Sequence, residues 1–259
     1  MQKSNLINLG CGKTFHPTWD NFDLVPADAL VRPLDLLKPF HFQNASYQGC
    51  YSSHVLEHMP RSYVPQFLGE MFRILRPGGV VRVVVPDLEG IVRRYLLELD
   101  AASSGDESAI PRHEWMCMEL LDQMTRSFSG GFMGRLWYSR PLPARETIKE
   151  RLGNEAGKWI EKFDGDFLQD ATPLTPEQVF EATSLTQEEE VAFRNQGEIN
   201  RWMYDRVSLK TLLQAAGFRD VVVCRADDSR IPDFSTYRLD TDELGNVRKP
   251  DSLFMEGTR

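Results

Sequence analysis

The 259-residue sequence has no apolar run approaching the ~18–20 residues that a membrane span requires. Residues 1–4 carry no basic stretch followed by an apolar one, so no signal peptide is expected. Its four cysteines stand far apart, at 11, 50, 117 and 224. None form a C-x-x-C pair and none have zinc-ligand spacing to a histidine, so no metal site is expected. Scattered free thiols fit a reducing compartment, and the cytoplasm is the expected location. Positive charge is also scarce: 30 basic against 38 acidic residues give a net charge of −8. That balance argues against nucleic acid as the main partner, because phosphate backbones need a concentrated basic face. There is no internal repeat and no low-complexity tract. A chain of this length buries roughly 70–75% of its unfolded surface and needs no staple.

What is present alternates between strand-like and helical pieces. Leu6–Leu9 reads as a short strand stopped by Gly10-Cys11-Gly12. Residues 21–25, 29–34 and 49–52 read as three more. Residues 63–76 place Val64, Phe67, Leu68, Met71, Phe72 and Leu75 on one helical face, and Pro77-Gly78-Gly79 is expected to end that helix. Val80–Val85 is β-branched and nearly continuously apolar, as a strand buried on both faces is. Strand, helix, strand in this order implies a βαβ unit and a parallel sheet.

From 88 to 205 the pattern turns helical, with helices expected over 88–100, 113–126, 144–163 and 176–197. A helix at 208–216, capped by Ser208, then leads to strands at 221–224 and 252–256. The expected organisation is one domain, a core of 1–87 and 206–259 split by a helical insertion, or lid, at 88–205.

Three strand ends carry candidate chemistry. A Gly-x-Gly turn after the first strand lets the backbone approach a ligand that a Cβ would block. The third glycine of a dinucleotide fingerprint is missing, and only ten residues separate Gly12 from Asp23, which disfavours a nicotinamide enzyme. Asp23 and Asp35 each end a strand; a carboxylate there suits ribose hydroxyls or an exocyclic amine, or merely caps a turn. Ser53-His54-Val55-Leu56-Glu57-His58 follows the fourth strand, where the histidines serve as a cap or as a general base.

Taken together, Asn8-Leu9-Gly10-Cys11-Gly12, Trp19-x-Asn21-x-Asp23, the 53–58 segment and Arg73-Ile74-Leu75-Arg76-Pro77-Gly78-Gly79 resemble class I S-adenosylmethionine-dependent methyltransferases of the type-11 group. Val83-x-Val85-Pro86-Asp87-Leu88, Leu121-Asp122-Gln123, Trp202–Arg206 and Lys249-Pro250-x-Ser252-Leu253 are similar to a bacterial branch associated with surface-polysaccharide biosynthesis. The resemblance covers about residues 6–87 and 202–257. It implies an α/β fold, a Rossmann-like doubly wound seven-stranded sheet with its last strand antiparallel. The cofactor it implies is S-adenosylmethionine. Gly10, Cys11 and Gly12 would line its methionine and ribose, and Asp23 would hold the ribose hydroxyls. Asp35 would face adenine, Leu36 would pack on the ring, and Ser53 and His54 would lie beneath.

The implied reaction is methyl transfer to a small molecule, with O-methylation of a saccharide or similar hydroxylated metabolite expected. No N/D-P-P-Y/F tetrapeptide follows the fourth strand, which argues against base amines as acceptors. His58 is the expected base, with His113 and Asp122 as further candidates. Arg126 and Arg135 flank Gly130-Gly131 and are expected to clamp an anionic acceptor, with Tyr204 nearby. The alternative is a non-catalytic module that holds cofactor or partner without turnover.

Overall fold

The structure, a computed structural model, describes residues 5–165, 173–175, 177–181 and 185–259. Its strands are β1 (Leu6–Leu9), β2 (Asp20–Asp23), β3 (Val31–Pro33), β4 (Tyr47–Ser53), β5 (Leu75–Pro86), β6 (Arg219–Cys224) and β7 (Ser252–Thr258). They form one sheet in the order β3-β2-β1-β4-β5-β7-β6. The pairs from β3 through β5 are parallel, and β7 runs antiparallel to both of its neighbours. Helix α1 (Val64–Ile74) joins β4 to β5. The helices α2 (Leu88–Ser103), α3 (Ile110–Thr125), α4 (Gly131–Trp137), α5 (Arg145–Gly165) and α6 (Gln187–Arg194) follow, then α7 (Arg206–Ala215) and the single turn α8 (Phe234–Tyr237). Among the described residues no helix is long and apolar enough to cross a membrane.

Contacts divide the chain into two compact units. The first comprises 1–87, 201–247 and 252–259; the second comprises 88–200 and 248–251.

In the first unit, one sheet face is covered by α1 and α7. Val64, Phe67, Leu68, Met71 and Ile74 of α1 are buried there against Ile7, Cys50, Val81 and Val83. The opposite face has a different cover. Residues 10–19, 24–30 and 34–46, which join the first four strands, contain no helix. Ala226, Ile231, Phe234 and Leu239, from the connection between β6 and β7, pack instead on Tyr51, Val80 and Val84. The register sets a row of polar side chains across this face: Asn21 opposite Asn8, Asn8 opposite Tyr51, Tyr51 opposite Arg82, and Arg82 opposite Glu256. Arg82 is fully buried. Its guanidinium donates to Asp240 at 2.7 Å, to Glu256 at 2.9 Å and to the carbonyls of Arg225 and Asp228 at 2.7 and 2.9 Å. A buried charge is tolerated only when paired and hydrogen-bonded in this way.

Several local expectations change. α1 ends at Ile74, and Pro77-Gly78-Gly79 lies inside the extended lead-in of β5. The residue before a proline is driven out of the helical region, so Arg76 cannot extend the helix. Asp205, not Ser208, caps α7. Its Oδ1 accepts the amides of Val207 and Ser208, while the Ser208 hydroxyl donates to the Asp205 carbonyl. Of the helix expected over 176–197, residues 176 and 182–184 lie outside the described residues. Residues 177–180 form a 3-10 turn, and α6 starts only at Gln187, after a capping box made by Thr186 and Glu189. Gly153, at φ +75°, interrupts α5. The Gly130-Gly131 stretch launches α4.

Candidate functional site

The turn after β1 is built for close approach. Gly10 has φ +73°, and a Cβ there would lie 2.3 Å from Val55 Cγ2. Gly12 has φ +52°, and its Cβ position meets nothing within 4 Å, so the space beside it is open. The amides of Gly10 and Cys11 both donate to the Phe22 carbonyl, at 2.8 and 3.0 Å. Asp23 at the end of β2 accepts the Gly12 amide on Oδ2 at 2.8 Å and the Val25 amide on Oδ1 at 3.2 Å. The carboxylate is half-buried, so lone pairs remain for hydroxyls presented from solvent. Cys11 is inert packing: burial, with Asp23 beside it, pushes its thiol up to about 11.

Asp35 makes a local turn. Its Oδ1 accepts the Leu37 amide at 3.0 Å, and Oδ2 lies 3.0 Å from Lys38 Nζ. The Lys38 and Leu37 bonds hold its carboxyl below the usual range. Leu36 is partly buried against the α1 face of the sheet.

The 53–58 segment forms the second cluster. Ser53 ends β4, and His54 follows in a left-handed conformation at φ +53°. The His54 amide donates to the Val84 carbonyl at 2.9 Å. Its ring joins two partners: Nδ1 is 3.1 Å from Glu57 Oε1, and Nε2 is 2.9 Å from Ser252 Oγ. Glu57 is buried, with its Oε1 also 4.0 Å from His58 Nε2. Burial alone would raise this carboxyl; the His54 hydrogen bond and the two imidazoles hold it below the usual carboxylate range. The His58 side chain is one-third exposed. The Glu57 carbonyl accepts the amides of Arg201 and Trp202, at 2.7 and 3.2 Å. Those bonds bring Tyr204 into a bridge with Asp87. Tyr204 is wholly buried, and burial pushes its phenol up to about 12.

The first unit therefore assembles Gly10, Cys11, Gly12 and Asp23 at one strand end, and Ser53, His54, Glu57 and His58 at another. Glu57 and Trp202 stand in the motifs quoted from the sequence but were given no role there. The signal for Glu57 was present, since a carboxylate three residues after one histidine and beside another faces both.

His113, Asp122, Arg126 and Arg135 belong to the second unit. His113 and Asp122 line a cavity of about 510 Å³ with Cys117, Met118, Leu121 and Phe132. Asp122 already serves its own unit, accepting the Phe132 amide at 2.8 Å and Arg126 at 3.0 Å. Arg126 also reaches Glu198 at 3.2 Å. Arg135 donates to the carbonyls of Glu181 and Gln178, at 2.8 and 2.5 Å. The two arginines have different partners within this unit. Among the described residues no cluster of three metal-ligating side chains occurs.

The methyltransferase-domain family of type 11 matches residues 20–83, from β2 into β5. No curated protein matches the sequence. The chain is similar in structure to a methyltransferase of Thermotoga maritima described as a possible histamine N-methyltransferase, at 11% identity and TM-score 0.39, covering 100% of this chain and 83% of that one. It is also similar to an S-adenosylmethionine-dependent methyltransferase of Mesorhizobium loti, at 13% identity and TM-score 0.40, over 99% and 91% of the two chains. An open space at Gly12, a half-buried carboxylate at the end of β2 and the implied adenosyl cofactor fit one another. The family match over residues 20–83 runs from β2 into β5 of a seven-stranded sheet whose β7 alone runs antiparallel, and this part of the chain is similar to the methyltransferase domain.

Proposed function

We propose that the protein O-methylates a saccharide or a similar small hydroxylated metabolite, with His58 as general base. The observation that supports this most is the buried Glu57 carboxylate beside both His54 and His58 at the end of β4. An imidazole 4.0 Å from a buried carboxylate and one-third exposed to solvent is placed to take a proton. S-adenosylmethionine, when bound, supplies an electrophilic methyl group. Gly10, Gly12 and Asp23 would hold it, with Asp23 accepting from the ribose hydroxyls. His54, fixed between Glu57 and Ser252, orients the carboxylate. His58 would take the proton of an acceptor hydroxyl whose oxygen receives the methyl group, the methyl–sulfur bond breaking to leave S-adenosylhomocysteine.

The test is S-adenosylhomocysteine formation from a panel of methyl glycosides and other small alcohols. The wild type is expected to turn over at least one of them. His58→Ala should lose that turnover by about a hundredfold, the low end of general-base effects, while still binding S-adenosylmethionine. Full activity in His58→Ala would refute the assignment of the base.

A further inference from the structure

The end of β4 carries a second arrangement that the base and cofactor sites leave unused. Arg61, in the 3-10 turn that precedes α1, places its guanidinium 4.2 Å over the ring of Trp202. Trp202 is 41% exposed, although its backbone is tied to the Glu57 carbonyl, so a large apolar side chain is held in solvent next to the proposed base. Among the described residues Arg61 has no carboxylate partner, whereas Arg32, Arg73 and Arg82 of the same unit do. Two groups beside this pair are also unsatisfied. The Tyr204 hydroxyl and Glu57 Oε2 are buried with no hydrogen-bond partner. A buried polar atom without a partner marks a place where a water or a ligand completes the site.

We propose that Trp202 and Arg61 form an acceptor lip that takes a pyranoside bearing an anionic group. This rests on the methyl-acceptor reading above and names the substrate class for it. The argument is one of complementary chemistry. Indole offers a flat apolar face to the C–H side of a sugar ring. A guanidinium already stacked on that indole is oriented at low entropic cost and can grip a carboxylate or phosphate in two-point fashion. The lip hangs from the same carbonyl-anchored turn as Glu57 and His58. A ring seated there presents its hydroxyls toward the base.

Calorimetry on the whole protein, saturated with S-adenosylhomocysteine, tests this with three probes: methyl glucuronide, glucose 1-phosphate and uncharged methyl glucoside. At least one anionic probe is expected to bind ten times more tightly than methyl glucoside, and which one binds identifies carboxylate or phosphate. Arg61→Gln should abolish that preference. Trp202→Ala should weaken the preferred probe at least fivefold, and Trp202→Phe should recover part of the loss. Equal binding of all three probes, binding of none, or a Trp202→Ala variant that binds like the wild type would overturn the lip. Failure of the wild type to bind S-adenosylhomocysteine would instead overturn the methyltransferase reading beneath it.

Discussion

Asp23 and Gly12 are joined by a 2.8 Å hydrogen bond from the Gly12 amide to the carboxylate, so the end of β2 closes the turn after β1. One residue thus shapes the turn and still has lone pairs to offer a ligand. Asp23→Asn keeps the volume but removes the charge and one acceptor. Its affinity for S-adenosylmethionine by titration calorimetry is expected to fall more than tenfold, and an unchanged affinity would refute the cofactor assignment.

Gly10 and Gly12 should respond differently to the same change. Gly10→Ala drives a Cβ to 2.3 Å from Val55 and holds alanine at φ +73°. Gly12→Ala meets open space and bears only the left-handed penalty, about 1 kcal/mol. Urea unfolding should show Gly10→Ala to be the more destabilised of the two. In Gly12→Ala the loss should appear mainly in cofactor binding, since the new methyl group fills the open space.

Glu57 ties stability to pH in a defined sense. Its folded-state carboxyl sits below the usual value, so its contribution is present above the unfolded pKa of about 4.3 and is lost as pH falls through the lowered folded value. The stability gap between the wild type and Glu57→Gln should therefore be largest near neutrality and close on acidification below about pH 4. A gap that widens on acidification would contradict this.

Arg82 makes the buried network its own test. Arg82→Ala leaves Asp240 and Glu256 buried without their cation, at a cost of about 3–5 kcal/mol. Arg82→Met restores volume but not charge and should recover little of it. If methionine restores stability, packing rather than charge pairing is what Arg82 supplies. Chemical denaturation midpoints decide between them.

The elements with strong local signals were legible. The alternation of Val80–Val85 is visible in the structure as Val81, Val83 and Val85 on the α1 face and Val80 and Val84 on the other. The stripe on α1 needed only its period. The strand-end aspartate at 23 was readable from position. Asp35 makes an Asx turn with Leu37, as Asp23 does with Val25, which is the turn role offered for both beside the ligand role. Arg126 has a local partner in Asp122, but Glu198 and the carbonyls that hold Arg135 lie 43 to 72 residues away along the chain and have no local signature. Arg82 is the one charged residue in the apolar run Val80–Val85. Its inward partners, within residues 225–240 and at Glu256, lie far along the chain.

The borrowed cover over the Tyr51 and Arg82 face has a consequence for synthesis. Arg82 and Asp240 are 158 residues apart, and none of the early connections supplies a helix to that face. On a ribosome, β1 to β5 emerge long before the segment that will shield them. Closure across such a separation is slow, and in the interval an apolar sheet surface stays open to association. The nascent protein therefore needs protection until the 225–247 segment has emerged, and losing that segment should produce aggregation rather than a smaller working enzyme.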